Sequence, residues 1–182
     1  MPNSIFKHSG SYYELSFQYE TAEQALHAFH SLRNLPMLTT PFQLPESNVD
    51  TFSQQTTILV ADFTFPCYIS LLLTEEQTFF IDFGIPVESL EQVYTIDYSF
   101  NFADNEWLID LHDCFLDIAE RLYETNPFLI AVMGEEITGS FNATQLTTDD
   151  IERLQCVLPT HMQLALNVQH EGLPLSTKLA LY

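Results

Sequence analysis

The sequence predicts an α+β fold: a mainly antiparallel sheet of about six to eight strands packed against one long and two shorter helices. Three observations predict it. Several short stretches alternate apolar and polar residues, which marks strands with one dry and one wetter face and favours antiparallel pairing. These stretches come in runs instead of alternating regularly with helical segments, as a doubly wound fold would require. Residues 106–124 carry one long apolar stripe at helical spacing.

The elements are read in chain order. Residues 12–19 alternate, with Tyr13, Leu15, Phe17 and Tyr19 on one side and Glu14, Ser16 and Gln18 on the other. Thr21 and Gln24 form a capping-box pattern opening a helix whose apolar stripe is Ala22, Ala25, Leu26, Phe29 and Leu32. Residues 36–56, with Pro36, Pro41 and Pro45, predict a long irregular loop. Residues 57–65 read as a central strand, apolar on both faces apart from Asp62. Residues 67–73 and 78–83 read as a hairpin around Glu75, Glu76 and Gln77. A short helical turn is expected over 86–92, then a strand over 94–102 from the alternation of Tyr94, Ile96, Tyr98, Phe100 and Phe102. The long helix runs from about Glu106 to Glu124, with Asp104 as its N-cap and Pro127 beyond its end. Residues 128–133 and 136–141 suggest a second hairpin turning at Gly134. Thr147 or Thr148 caps a short helix reaching Cys156, and Met162, Leu164, Leu166 and Val168 mark another strand. The apolar tail 173–182 is expected to add an edge strand. Nothing beyond the 36–56 loop marks a domain boundary, so residues 1–182 are expected to form a single acidic domain.

Charge narrows the function classes. The chain has 182 residues and a net charge of -20, from 25 acids against five bases. A chain of this length ordinarily carries about as many acids but roughly twenty bases. The carboxylates are therefore unpartnered more than they are numerous. Direct nucleic-acid binding needs Lys and Arg, and an anionic membrane surface needs the same. Neither is expected, and a basic protein is the natural partner. The first residues, MPNSIFKHSG, have no apolar run of a secretory signal, and no stretch approaches a membrane span. Three cysteines without paired spacing fit reduced thiols in a cytoplasmic protein.

One constellation stands out. On a helical wheel Trp107, Leu108, Leu111, Phe115, Ile118, Ala119 and Leu122 gather on one side. Opposite them lie Glu106, Asp110, Asp113, Asp117, Glu120 and Glu124, a single carboxylate stripe about 27 Å long at 1.5 Å per residue. Adjacent like charges at these spacings disfavour the helix, by about 1–2.5 kcal/mol over five pairs. Arg121 relieves part of this. Charge runs are usually solvated faces; the functional reading is a docking strip that steers and registers a basic partner. The bias extends around it: residues 75–152 hold 18 acids and one base, and Glu135, Glu136, Asp149 and Asp150 could widen the patch.

Catalytic readings are weaker. His27 and His30 lack a companion ligand motif and read as surface histidines. His112 and Cys114 point about 200° apart on a helix, so they cannot act as a pair, and Cys67, Cys114 and Cys156 read as packed thiols. Glu75, Glu76, Asp82 and Asp97 are carboxylates without a spacing that selects a pair. No Gly-rich phosphate loop, GxSxG or CxxC occurs.

In composition the chain is similar to bacterial toxin-neutralising immunity proteins, which are small, acidic and without catalytic motifs. That likeness carries over no residues. It implies an acidic inhibitor rather than an enzyme, without cofactor or metal, that neutralises a cognate basic toxin; the stripe is the expected contact on the residues' own spacing and charge. Alternatives are a nucleic-acid mimic that blocks a DNA- or RNA-binding defence protein, and a metal-dependent enzyme with an acidic pocket.

Overall fold

The computed structural model describes residues 10–43, 51–73, 78–138, 141–151, 153–168 and 172–182. In chain order the elements are β1 (Tyr12–Tyr19), α1 (Ala22–Ser31), β2 (Thr51–Val60), β3 (Phe63–Leu73), β4 (Phe79–Pro86), α2 (Val87–Glu91) and α3 (Trp107–Thr125). They continue as β5 (Ile130–Glu135), α4 (Thr148–Ile151), β6 (Gln155–Pro159), α5 (Thr160–Ala165), β7 (Leu173–Pro174) and β8 (Leu179–Leu181). The strands form one eight-stranded antiparallel sheet in the order β2-β3-β4-β1-β5-β6-β8-β7. The fold is α+β, with four short helices beside the long one among the described residues.

The alternation of β1 sorts the molecule into layers. The register places Leu15 between Phe83 of β4 and Met133 of β5, and Phe17 between Ile81 and Ala131. These residues form the main core with Ala25, Ala28 and Phe29 of α1 and with Leu111, Phe115 and Ile118 of α3. The opposite face is not wet at its centre. Phe80, Ile130, Val132, Cys156 and Leu158 form a second core there, covered by Ile137, Phe141, Ala143 and Ile151. Ser16 and Gln18 of β1 are consequently buried polar residues.

Several expectations hold in detail. Thr21 accepts from the Gln24 amide at 3.2 Å while Gln24 Oε1 accepts from the Thr21 amide at 3.1 Å, completing the capping box. β3 and β4 pair as a hairpin, with Leu73 opposite Phe79; its turn, including Glu75 and Glu76, lies outside the described residues. The tail supplies β7 and β8 at one sheet edge.

Others are corrected. The run 57–65 is not one central strand: the chain reverses over Ala61 and Asp62, so that Val60 faces Phe63 and the lone acid marks the turn. Ala61 takes φ 48° to make it. β2 begins at Thr51, inside the expected loop, and sits at the sheet edge. Its outer rim is partly covered where Thr39 N–H donates to Thr57 O (2.9 Å) and Leu59 N–H to Met37 O (2.8 Å), which blunts an aggregation-prone edge.

Residues 94–102 form no strand, because their polar side chains satisfy the local backbone themselves. Asp97 Oδ1 accepts from Ser99 N–H at 2.9 Å, and Asn105 Oδ1 accepts from Asp97 N–H at 2.8 Å. Asp104 does not cap the long helix; Glu106 holds that position and makes no side-chain cap bond. Of the expected strand 136–141, residues 139–140 lie outside the described residues, and the described ones do not pair as a strand: Glu136 turns the chain at φ 49°, and Ile137 and Phe141 are spent on the second core. The helix after Thr147 ends at Ile151, since Cys156 is drawn into β6 opposite Val132. The stretch 162–168 holds most of α5, not a strand. Met162 and Leu166 lie four apart, a spacing that period two and one helix face share.

Candidate protein-docking face

α3 is positioned by its apolar stripe. Trp107, Leu108, Leu111, Phe115, Ile118, Ala119 and Leu122 are buried against the sheet. The six stripe acids are thereby turned outward: Glu106, Asp110, Asp113 and Glu124 are exposed, and Asp117 and Glu120 half-buried. Asp110 lies in the first turn, where the helix dipole favours an anion.

The stripe is not uniform. Arg121 Nε pairs with Asp117 Oδ1 at 2.7 Å and also acts on Glu120 and Glu124, which together raise its pKa. No such pair serves Glu106, Asp110 or Asp113 among the described residues. The N-terminal half is therefore the uncompensated part of the field.

The loop 94–105 folds onto the root of that half. Tyr94 stacks on Trp107 with centroids 5.5 Å apart, Phe100 packs edge-on to Trp107, and Asn105 accepts from the indole N–H at 3.1 Å. Asp97, lowered in pKa by its Ser99 hydrogen bonds, and Asp104 are exposed on the same loop. The Tyr98 hydroxyl donates to Glu91, and Glu135 acts on Tyr98 as well. Apolar surface lies open beside these acids: Tyr98 is 63% exposed, Ile109 51% and Phe102 40%. This is a mixed face of carboxylates and large apolar side chains.

No family model, curated protein or solved structure matches this chain.

Of the residues expected to widen the patch, Glu135 joins it through Tyr98, whereas Glu136 acts on Glu14 of β1. Asp149 and Asp150 belong to α4, over the second core on the other side of the sheet, and Asp150 is engaged in a cap with Thr147. His27 and His30 lie on the exposed side of α1, with His27 Nδ1 2.5 Å from Asn126 Oδ1. Cys67 and Cys156 are buried free thiols. Cys114 is half-buried, donates to Leu59 O at 3.6 Å, and is pushed up to about 12 by burial. Among the described residues no three His, Cys, Asp or Glu side chains come together as a metal cluster. No described helix is long and apolar enough to cross a membrane.

For two ionisable residues singled out from the sequence, burial was not foreseen. His112 of α3 is only 3% exposed; its Nε2 lies 2.5 Å from the Tyr13 hydroxyl, Nδ1 has no hydrogen-bond partner among the described residues, and burial lowers its pKa to about 4. Asp82 of β4 is buried on the opposite face, hydrogen-bonded by Ser16, and raised to about 7 chiefly by desolvation. The signal for Asp82 was a lone acid inside the apolar run Phe79–Pro86.

Proposed function

We propose that this chain is a cytoplasmic binding protein of the immunity type, which neutralises a basic protein partner on the outward face of α3. The observation that supports this most is the uncompensated trio Glu106, Asp110 and Asp113 lying beside exposed Ile109. Complementary charge steers encounter and fixes register, while a desolvated apolar side chain at the centre of an interface supplies affinity that screened rim charges cannot. The stripe's length also suits a nucleic-acid mimic, because one carboxylate per ~5 Å resembles phosphate spacing along a strand. Open apolar side chains have no counterpart on a phosphate backbone and favour the protein-inhibitor reading.

The test is a binding titration against the proteins encoded by the genes on either side of this one, with wild type and the triple variant D110K/D113K/D117K; if neither neighbour binds, the immunity reading is lost. Charge reversal is expected to weaken binding by about a hundredfold or more, and Ile109→Ala by about tenfold, in line with truncation of a central contact. An affinity unchanged by charge reversal removes the stripe from the interface. Competition by the partner's own nucleic acid, with no effect of Ile109→Ala, selects mimicry instead.

A further inference from the structure

Tyr98 stands at the tip of a turn that holds it outward. Phe100 N–H donates to Asp97 O at 3.1 Å and closes the turn. Its base is fixed, because buried Asn105 donates to Asp97 O and accepts from Asp97 N–H, each at 2.8 Å. Phe100 takes φ 46°, a left-handed conformation uncommon for a bulky residue. Its ring meets Tyr98 at right angles, with centroids 6.0 Å apart, and packs on its other contacts against the Tyr13 and Trp107 rings of the core. The Tyr98 hydroxyl donates to Glu91. The ring is thus braced at both ends, yet it is 63% exposed, more than any other described aromatic side chain.

Folding gains little from this arrangement. A side chain held in one rotamer loses conformational freedom, and one left in water returns little hydrophobic stabilisation. A rigid, open ring is what an interface uses, since its ordering cost is met before the partner arrives. Tyr and Arg are both enriched among the residues that dominate binding energy, and such residues tend to meet across an interface.

The surroundings of the ring are anionic. Glu91 and Glu135 both act on Tyr98 and are themselves exposed. Asp97 and Asp104 are exposed on the same loop. Among the described residues no ion pair engages any of these four acids. The Glu91 carboxylate keeps acceptor sites beyond the one that the Tyr98 hydroxyl fills. A ring beside free carboxylates distinguishes one cation from another. A guanidinium is flat and weakly hydrated, so it lies on a ring while its forked N–H groups reach carboxylates. An ammonium is a compact, strongly hydrated point charge. An apolar side chain would cover the ring and leave the acids desolvated without a partner.

We propose that Tyr98 is an arginine anchor: the basic partner docks by laying an Arg guanidinium on the Tyr98 ring beside Glu91 and Glu135. The anchor rests on this face being the seat of a basic protein, and it makes that seat selective for arginine over lysine.

Octa-arginine and octa-lysine carry the same charge, and calorimetric titration of each into the full chain at low salt tests the anchor. Wild type is expected to bind octa-arginine about three- to fivefold more tightly, the size of a cation–π contact at an exposed site. Tyr98→Ala is expected to remove most of that preference, and Tyr98→Phe, which keeps the ring and loses the hydroxyl, to retain it. The double variant E91Q/E135Q is expected to narrow it. Because Tyr98 is largely exposed, its replacement leaves the core untouched. Equal wild-type affinities, a preference that survives Tyr98→Ala, equal weakening of both peptides by that variant, or loss of the preference in Tyr98→Phe overturns the anchor. A preference unmoved in E91Q/E135Q removes the two carboxylates from it and overturns it as well. The docking reading fails separately, if D110K/D113K/D117K leaves octa-lysine binding unchanged.

Discussion

Asp82 and His112 are buried on opposite sides of one sheet, and their contributions to stability change with pH in opposite directions. Burial raises Asp82 to about 7, so the folded state holds its proton more firmly than the unfolded chain does. Its contribution to stability is full at low pH and lost as pH rises towards about 7. Burial lowers His112 to about 4, so here the unfolded chain binds the proton more firmly, and stability is lost as pH falls from about 6.5 to about 4. In the shared window the two slopes oppose each other, each at most about 1.4 kcal/mol per pH unit. Each single variant should expose the other. Relative to wild type, Asp82→Asn is expected to gain unfolding free energy as pH rises from 4 to about 7, and His112→Asn to lose it as pH rises from 4 to 6.5. Urea unfolding at several pH values reads both. A difference from wild type that does not change with pH means that the residue's proton is not linked to folding.

At the scale of elements, the 94–105 loop depends on one side chain. Asn105 is buried, accepts from Asp97 N–H and from Trp107 Nε1, and donates to Asp97 O and Asn101 O. Asn105→Ala strands these groups and is expected to cost about 2–3 kcal/mol, the range for orphaning buried polar partners. The fluorescence of the single Trp107 should report the loosened loop; unchanged stability and emission would show that other contacts carry it. α3 yields a second prediction. Asp113 sits between Asp110 and Asp117 at helical spacing, so Asp113→Lys converts repulsions into attractions worth a few tenths of a kcal/mol each. The variant should unfold at a higher urea midpoint than wild type while binding its partner less well. A fall in midpoint would mean that the carboxylate has a structural task, and the docking reading would lose its main energetic argument.

The whole molecule carries a charge of -20 with few cations to balance it. Self-repulsion across such a surface opposes the compact state, and salt screens it over about 10 Å at 0.1 M. Raising sodium chloride from 0.05 to 0.5 M is therefore expected to raise the melting temperature of the isolated chain and to weaken its complex. The opposite signs separate the two roles of the field. A melting temperature that falls with salt would contradict net repulsion in the fold.

Local spacing in the sequence was enough for the elements whose neighbours agree with it. The alternation over Tyr12–Tyr19, the Thr21–Gln24 box and the stripe of Trp107–Thr125 each specify their structure, because the faces they define are the faces the fold buries. The outward position of the six α3 acids follows from that same periodicity. Tertiary structure decided the rest. The aromatic alternation over 94–102 became a loop because Asn105 and Trp107 offered closer partners than a strand would. Met162 and Leu166 suit either period, and position beside the second core chose the helix. Only the covering of the sheet's far face turned Ser16, Gln18 and Asp82 from surface polar residues into a buried row. A sequence records which residues share a face; whether water reaches that face depends on chain arriving from more than a hundred residues away, as Gln18 meeting Ala143 does.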